Sequence, residues 1–490
     1  PPGGVPPGSD PLPQLTAFIK QAKPVNVQTE ALRHTARQQQ AAQLASSFGR
    51  AQGEGGVLRV KGLLKGELPK AEFQPPADLL TQEQWDGLFE QVGQTNRLRV
   101  FEKVPTADAL AQVKAGQVPT PGDIALLEKV FGPELAANLT EKGLSKGDKA
   151  WNLALEIWSL PRTAQTGPDI SATLRQGSWF STSHPKEIGA AFKAQFQSIV
   201  SEEATNAIDT ALRTGPAADI RIRVGLYQAP LNGSLSAREE AVLSKLVGRL
   251  PGYRQSNRAY VTFLNKLRAD TFDTIVQSWN DGGNVVTEND LNQLATYINR
   301  ATGRGSLGPA SKYGKELSTI FYSPRFTTSR FLIAQSMVSS SKLVRQQAWR
   351  DFALYAGPRV AALGLLAATG AASVELDPRS SDFGKLRVLN TRIDPWGGWQ
   401  PVVRYMAQAV TGQRKTLETG KIVPTGLGGY DSLWTTLGRF VRSKFAPSTG
   451  VLGDIQAGRG KKLPPGAIGI DFVGKPVTLT DELKRLFGPL

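Results

Sequence analysis

The sequence predicts a mainly α fold, a multi-helix bundle or helical-hairpin array with a small β insertion near 385–394. Three observations predict it. Leu, Ile, Phe and Tyr recur at three- and four-residue spacings in several long stretches. Pro, Gly and capping residues punctuate those stretches where helices start and stop. One segment, "SSDFGKLRVLNTRIDPWGGWQ" (380–400), departs from the helical period and alternates between turn signals.

Taken in order, residues 1–13 read as a Pro/Gly-rich linker of the kind left where a larger precursor is cut. They have neither the charged start nor the apolar stretch of a signal peptide. Residues 14–150 read as an N-terminal helical region. Within it, 27–48 is rich in Ala, Gln and Arg and predicts an exposed or coiled helix, ended by "GRAQGEGG". Apolar spacings over 79–100 and 122–139 predict helical hairpins, with "TPGD" (120–123) as a start signal.

Residues 151–350 read as a central helical domain that opens on the apolar "WNLALEIWSL" (151–160). The spacing over 186–200 puts Ile188, Phe192, Phe196 and Ile199 on one helical face. Pro185 fits the first helical position and His184 the cap before it. "DIRIRVGLY" (219–227) alternates and predicts a short strand. Tyr260, Phe263, Leu264 and Leu267 form one stripe, and Leu291, Leu294 and Ile298 another, separated by the turn-rich "NDGGN" (280–284).

Residues 351–490 read as a basic C-terminal helical domain with a short β element. The uncharged run 360–374 has 15 residues. A bilayer span needs roughly 20, so the run predicts a buried helix. Lys385 to Ile393 alternates, but its apolar set changes face between Val388 and Leu389, which predicts a bulge or tight hairpin. Asp377-Pro378 and Asp394-Pro395 bound it with turn chemistry, and Pro401 fits only the first turn of a following helix.

Composition narrows the chemistry. The chain has 490 residues, no Cys and two His, His34 and His184. This leaves no disulfide framework, no thiol nucleophile and little from which to build a His-based metal site or triad. Net charge is +16, of which +14 falls in 301–490 (26 Lys+Arg against 12 Asp+Glu). That asymmetry suits contact with a polyanion, nucleic acid or an anionic membrane face, and equally a solvated basic surface.

Motifs for catalysis do not complete. "GRGSLG" (303–308) has dinucleotide-loop glycines but follows a helix pattern instead of a strand, so it reads as a helix end and turn. "GIDFVGKP" (469–476) has Pro476 where a phosphate loop needs Ser or Thr, and reads as a C-terminal turn. "FSTSH" with upstream Arg175 resembles part of an ADP-ribosyltransferase constellation, but no two Glu residues stand two apart. Asp377, Asp382 and Asp394 read as turn formers and partners of Arg379, Arg387 or Arg392. The chain is therefore expected to be noncatalytic, with no cofactor and no metal. Were there an unrecognised enzymatic site, Asp382, Arg392 and Asp394 are where it would be sought.

Six blocks, in order, resemble a tailed-bacteriophage family of large polyvalent proteins, in particular their associated helical domain. They are "ISATLRQG" (170–177), "SNRAYVTFLNKLRADTFD" (256–273), "ATGRGSLG" (301–308), "FYSPRFTTSRF" (321–331), "LDPRSSDFGKLRVLNTRIDPWGGWQ" (376–400) and "FVRSKFAPSTGVLGDI" (440–455). The resemblance implies an internal virion protein, at the portal or tail lumen or with packaged DNA, ejected with the genome. It implies other virion proteins as partners, multiple copies, phage DNA nearby and contact with the host envelope or cytoplasm after delivery. The alternative is an injected intracellular effector, antirestriction or DNA-protecting. Arg325, Arg330, Arg379, Arg387, Arg392, Arg404, Arg439, Arg442 and Lys444 are the candidates for contact with DNA or a partner.

Overall fold

The computed structural model describes residues 10–23, 71–143, 154–155, 158, 171–230, 253–370, 373–388, 391–416, 419–424, 433–471 and 475–487. They are mainly helical, with three small antiparallel sheets. The expected helix at 27–48 and most of 151–160 lie outside the described residues. The chain divides into two compact units, Pro1–Asn152 and Leu153–Leu490.

The first unit is built from amphipathic helices. Helix α1 (Leu12–Gln21) buries Leu15 and Ile19. Helix α2 (Gln82–Gln94) starts on a reciprocal capping box: Thr81 Oγ1 accepts from the Gln84 N–H at 3.3 Å and Gln84 Oε1 accepts from the Thr81 N–H at 3.0 Å. It buries Trp85, Leu88 and Val92, and α3 (Val100–Lys114) answers with Ala109, Leu110 and Val113. The 122–139 stretch is two helices, α4 (Pro121–Phe131) and α5 (Pro133–Lys142), because Gly132-Pro133 breaks the hydrogen-bond ladder between them. Thr120 caps α4 as "TPGD" predicts. Only two polar side chains are buried among this unit's described residues, Thr16 and Thr106. Both hydroxyls donate to the carbonyl one turn earlier, each at 2.7 Å.

The second unit opens with α6 (Ser171–Gly177) and a 3-10 turn (Ser178–Phe180). Helix α7 (Pro185–Val200), α8 (Glu202–Thr214) and α9 (Ala218–Arg223) follow, and then the long α10 (Tyr253–Asp281). The face of α7 differs from expectation. It packs on α10 through Ala191, Ala194, Gln195 and Ser198, while Phe196 is 58% exposed. Small residues let the two axes approach closely, so the large apolar residues are displaced to the margins, where Phe192 meets Phe263 at 4.8 Å. Phe263, Leu264 and Leu267 of the expected stripe are fully buried.

The strand expected at 219–227 is instead α9. Arg221 explains the change. Buried, it donates to the Leu212 carbonyl at 2.7 Å and to Asp273 at 3.1 Å, which fixes the turn of helix against α8 and α10. Period-two spelling over five residues cannot outweigh these contacts.

Helix α11 (Glu288–Ala301) buries Leu294 and Ile298 as expected, and the "GRGSLG" glycines end it in a turn. A 3-10 segment (Gly308–Tyr313) leads to α12 (Gly314–Ile320), α13 (Pro324–Leu332), α14 (Ala334–Met337) and α15 (Lys342–Ala368). Residues 350 and 351 both lie inside α15. The run from 360 corrects another expectation: Val360 and Leu365 are 59% and 66% exposed, and of its large residues only Leu363 is buried. Among the described residues no helix is long and apolar enough to cross a membrane.

Strands β1 (Ser373–Val374), β2 (Leu386–Val388) and β3 (Thr391–Ile393) make the insertion. The predicted tight hairpin is β2–β3, with Arg387 directly opposite Arg392. Helix α16 (Gln400–Thr411) has Pro401 in its first turn and runs into the hairpin β4 (Gln413–Lys415) and β5 (Ile422–Pro424). Helices α17 (Leu433–Arg442) and α18 (Pro447–Gly458), hairpin β6–β7 (Ala467–Ile470, Pro476–Thr478) and α19 (Leu479–Phe487) complete the unit.

Candidate functional site: a cation-rich clasp

The Trp396–Trp399 turn sits where α6, α13 and α15 meet. Gly397 and Gly398 both have positive φ, +55° and +87°. A Cβ on Gly397 would stand 2.4 Å from Ser178 Oγ, and one on Gly398 would press on the Phe326 ring. The turn is therefore sequence-specific for reasons of backbone geometry and space. Around it, Trp179 stacks on Tyr355 at 5.1 Å and tilts against Trp399 at 4.8 Å.

Two arginines lock the turn without any carboxylate. Arg330, buried, lies between Phe326 (4.2 Å) and Trp399 (4.4 Å) and donates to the Arg175 and Gly397 carbonyls at 3.0 and 3.3 Å. Burial pushes its pKa down to about 9, so it is still a cation at neutral pH. Arg359 donates to the Pro395 and Tyr355 carbonyls and to Ser181 Oγ at 3.1, 2.6 and 2.9 Å. Guanidinium suits the task because its fork satisfies several carbonyls while its face stacks on aromatic rings.

Beneath the turn lies a closed polar chain. Trp179 Nε1 donates to the Tyr297 hydroxyl (2.8 Å), which donates to Asp351 Oδ2 (2.6 Å). Gln347 Nε2 donates to Asp351 Oδ1 at 2.9 Å, and His184 Nε2 stands 3.4 Å from the same oxygen. Burial and the Asp351 charge hold the Tyr297 phenol well above its ordinary pKa, so it is a neutral donor. All five side chains are buried. This corrects the role of His184: it occupies the N-cap position of α7, but its side chain makes no capping bond and turns to Asp351 instead.

The insertion is tied down by ion pairs. Arg379 grips Asp377 through two bonds of 2.9 Å, holding that carboxyl at about 2. Its Nη1 donates to Gln413 at 2.6 Å. Arg392 meets Asp382 at 2.5 Å, and Lys415 meets Glu375 at 2.6 Å. Asp394 accepts from the Trp396 N–H at 2.8 Å. Trp396 Nε1 donates to the Gly384 carbonyl and Gln400 to the Ser381 carbonyl, both at 2.9 Å. These bonds join β1–β3, α16 and β4–β5 into one clasp.

The candidate cations thus occupy different settings. Arg330 is inside the unit, and Arg379 and Arg392 are paired. Arg442 bridges Asp454 (2.7 Å) and the Ile470 carbonyl (2.6 Å). Arg325 lies within α13, its carbonyl accepting from the Gly305 N–H. The side chain of Arg439 lies outside the described residues. Arg404 and Lys444 stand together half-buried beside Phe440 and Tyr405; burial, with Arg404 adding to it, lowers Lys444 to about 8. Arg387 is exposed, opposite Arg392, and no carboxylate contacts it.

Sequence reasoning missed Trp179, Tyr297, Asp351, Tyr355 and Arg359, and the exposed cations Arg414 and Lys421. The doubled aromatics around Gly397-Gly398 were the one local sign of the first group. Among the described residues no group of three or more His, Cys, Asp or Glu is placed to hold a metal ion. Comparison with family models, curated proteins and solved structures finds no match for this chain.

Proposed function

We propose that the chain is a noncatalytic internal virion protein of a tailed bacteriophage, associated with the portal or tail lumen or with packaged DNA and ejected with the genome. One observation carries the reading beyond the resemblance. The six resembling blocks pack on one another: Gly177 against Phe263, Gly303 against Phe326, Arg330 on the Arg175 and Gly397 carbonyls, and Phe331 against Phe440 at 5.8 Å. Their shared residues are spent on a particular packing, as suits a protein that works by shape and assembly.

Quantitative mass spectrometry of purified full particles and of particles emptied by triggered ejection tests this. Presence in full particles and loss on emptying is the expected result. Retention in both would make it a fixed component of the portal, tail or capsid. Absence from both would overturn the virion reading and favour an intracellular effector.

A further inference from the structure

Within 373–424 the charges do not balance. Each described carboxylate is taken: Glu375 by Lys415, Asp377 by Arg379, Asp382 by Arg392, and Asp394 by the Trp396 N–H. Arg387, Arg414 and Lys421 remain exposed with no carboxylate partner among the described residues. Arg387 also faces Arg392 directly across the hairpin, an arrangement that costs stability unless an anion answers it.

The same clasp exposes aliphatic side chains. Val403, Met406 and Val410 are 40%, 45% and 87% exposed. Their spacing of three and four puts them on one face of α16, opposite the Tyr405 side that packs on Phe331 and Phe440. Ile393 and Ile422 continue the exposed apolar surface on the two hairpins.

We infer that α16 and its two hairpins form a docking face for an anionic bilayer surface, with Val403, Met406 and Val410 entering the interface and Arg387, Arg414 and Lys421 meeting lipid phosphates. Exposed aliphatics beside unanswered cations are the pattern that interfacial elements present. A nucleic acid would satisfy the cations but leave the aliphatic stripe in water. Tyr405, the one aromatic of α16, is packed inward and is not free to stack on bases. A second copy would bring the same cations together across a self-complementary interface. The inference concerns this face alone and does not depend on the virion reading.

The test is co-sedimentation of the full chain with vesicles of phosphatidylcholine alone or mixed with phosphatidylglycerol. Binding is expected to the mixed vesicles only. It should fall by at least about tenfold both in Val403→Ser/Met406→Gln/Val410→Ser and in Arg387→Glu/Arg414→Glu/Lys421→Glu. Because the chain has no Cys, Val410→Cys carrying an environment-sensitive fluorophore gives a second readout that needs no loss of fold. Its emission should shift to the blue on mixed vesicles. No binding to mixed vesicles, equal binding to neutral ones, an unshifted fluorophore, or an aliphatic variant that binds like the parent would each overturn the inference. So would duplex DNA that competes fully for the face while the aliphatic variant binds DNA unchanged, which would assign the cations to nucleic acid.

Discussion

The two units solve the problem of a core by different means. Residues 10–143 bury Trp85, Leu88, Leu110, Leu127 and their neighbours almost without polar companions. Residues 171–487 bury His184, Arg221, Arg268, Arg330, Gln347, Asp351 and Asp454 as well. An apolar core is nondirectional, so many packings satisfy it nearly as well. A buried hydrogen-bonded chain is satisfied by few arrangements, and each member left without its partner is costly. Specificity in the second unit is therefore concentrated at a few polar side chains and one glycine turn, while in the first it is spread over many contacts.

The largest test of that contrast is Gly397→Val with Gly398→Val. Left-handed backbone and the Ser178 contact together predict a cost of about 3–6 kcal/mol. Hydrogen exchange should show protection lost across 171–487 while 82–142 keep theirs. Normal protection in both units would show that the turn does not govern the second.

Asp351→Asn should cost about 2–4 kcal/mol in chemical denaturation, because Tyr297 and Gln347 both donate to the carboxylate it removes. Loss of less than about 1 kcal/mol, the range of an ordinary surface change, would mean that the polar chain contributes little and that the contrast between the units is weaker than drawn.

Lys444 sharpens the comparison through pH. Its folded pKa of about 8 lies below the ordinary 10.5, so between those values the unfolded chain holds more protons. Stability should rise with pH across that window and level off above it. Lys444→Met should remove the slope and stabilise the protein by about 1–3 kcal/mol below pH 8. A wild-type profile that is flat, or that falls, across the window would contradict the burial of this ammonium.

The smallest effect belongs to the first unit. Thr81→Ala removes one half of the α2 capping box and should cost about 1 kcal/mol. Thermal unfolding that reports the two units separately would check that the second is unmoved.

The helices of the first unit were legible because their faces are set by the 3.6-residue period, and capping in "TPGD" is chemistry between neighbours in sequence. The hairpin near 385–394 and the place of Pro401 were legible for the same reason. The face of α7, the strand reading of 219–227 and the burial of 360–374 were not, since each depends on what a partner helix offers. The ion pairs that take up Asp377 and Asp382 join residues within ten positions, and could be anticipated. Arg330 could be singled out as a cation beside aromatics, but its setting inside the unit could not, because Arg175 and Gly397 stand 155 and 67 positions away.

By itself, then, the sequence determined the mainly helical class, the hairpin insertion and the excess of positive charge toward the C-terminus, all of which are properties of composition or short spacing. Only the tertiary structure decided that His184 turns to Asp351, that Trp179 joins the Tyr297 chain to the Trp396–Trp399 turn, and which cations of the clasp are answered by a carboxylate. Those are contacts between distant segments, and their energy depends on distance and burial that no local pattern records.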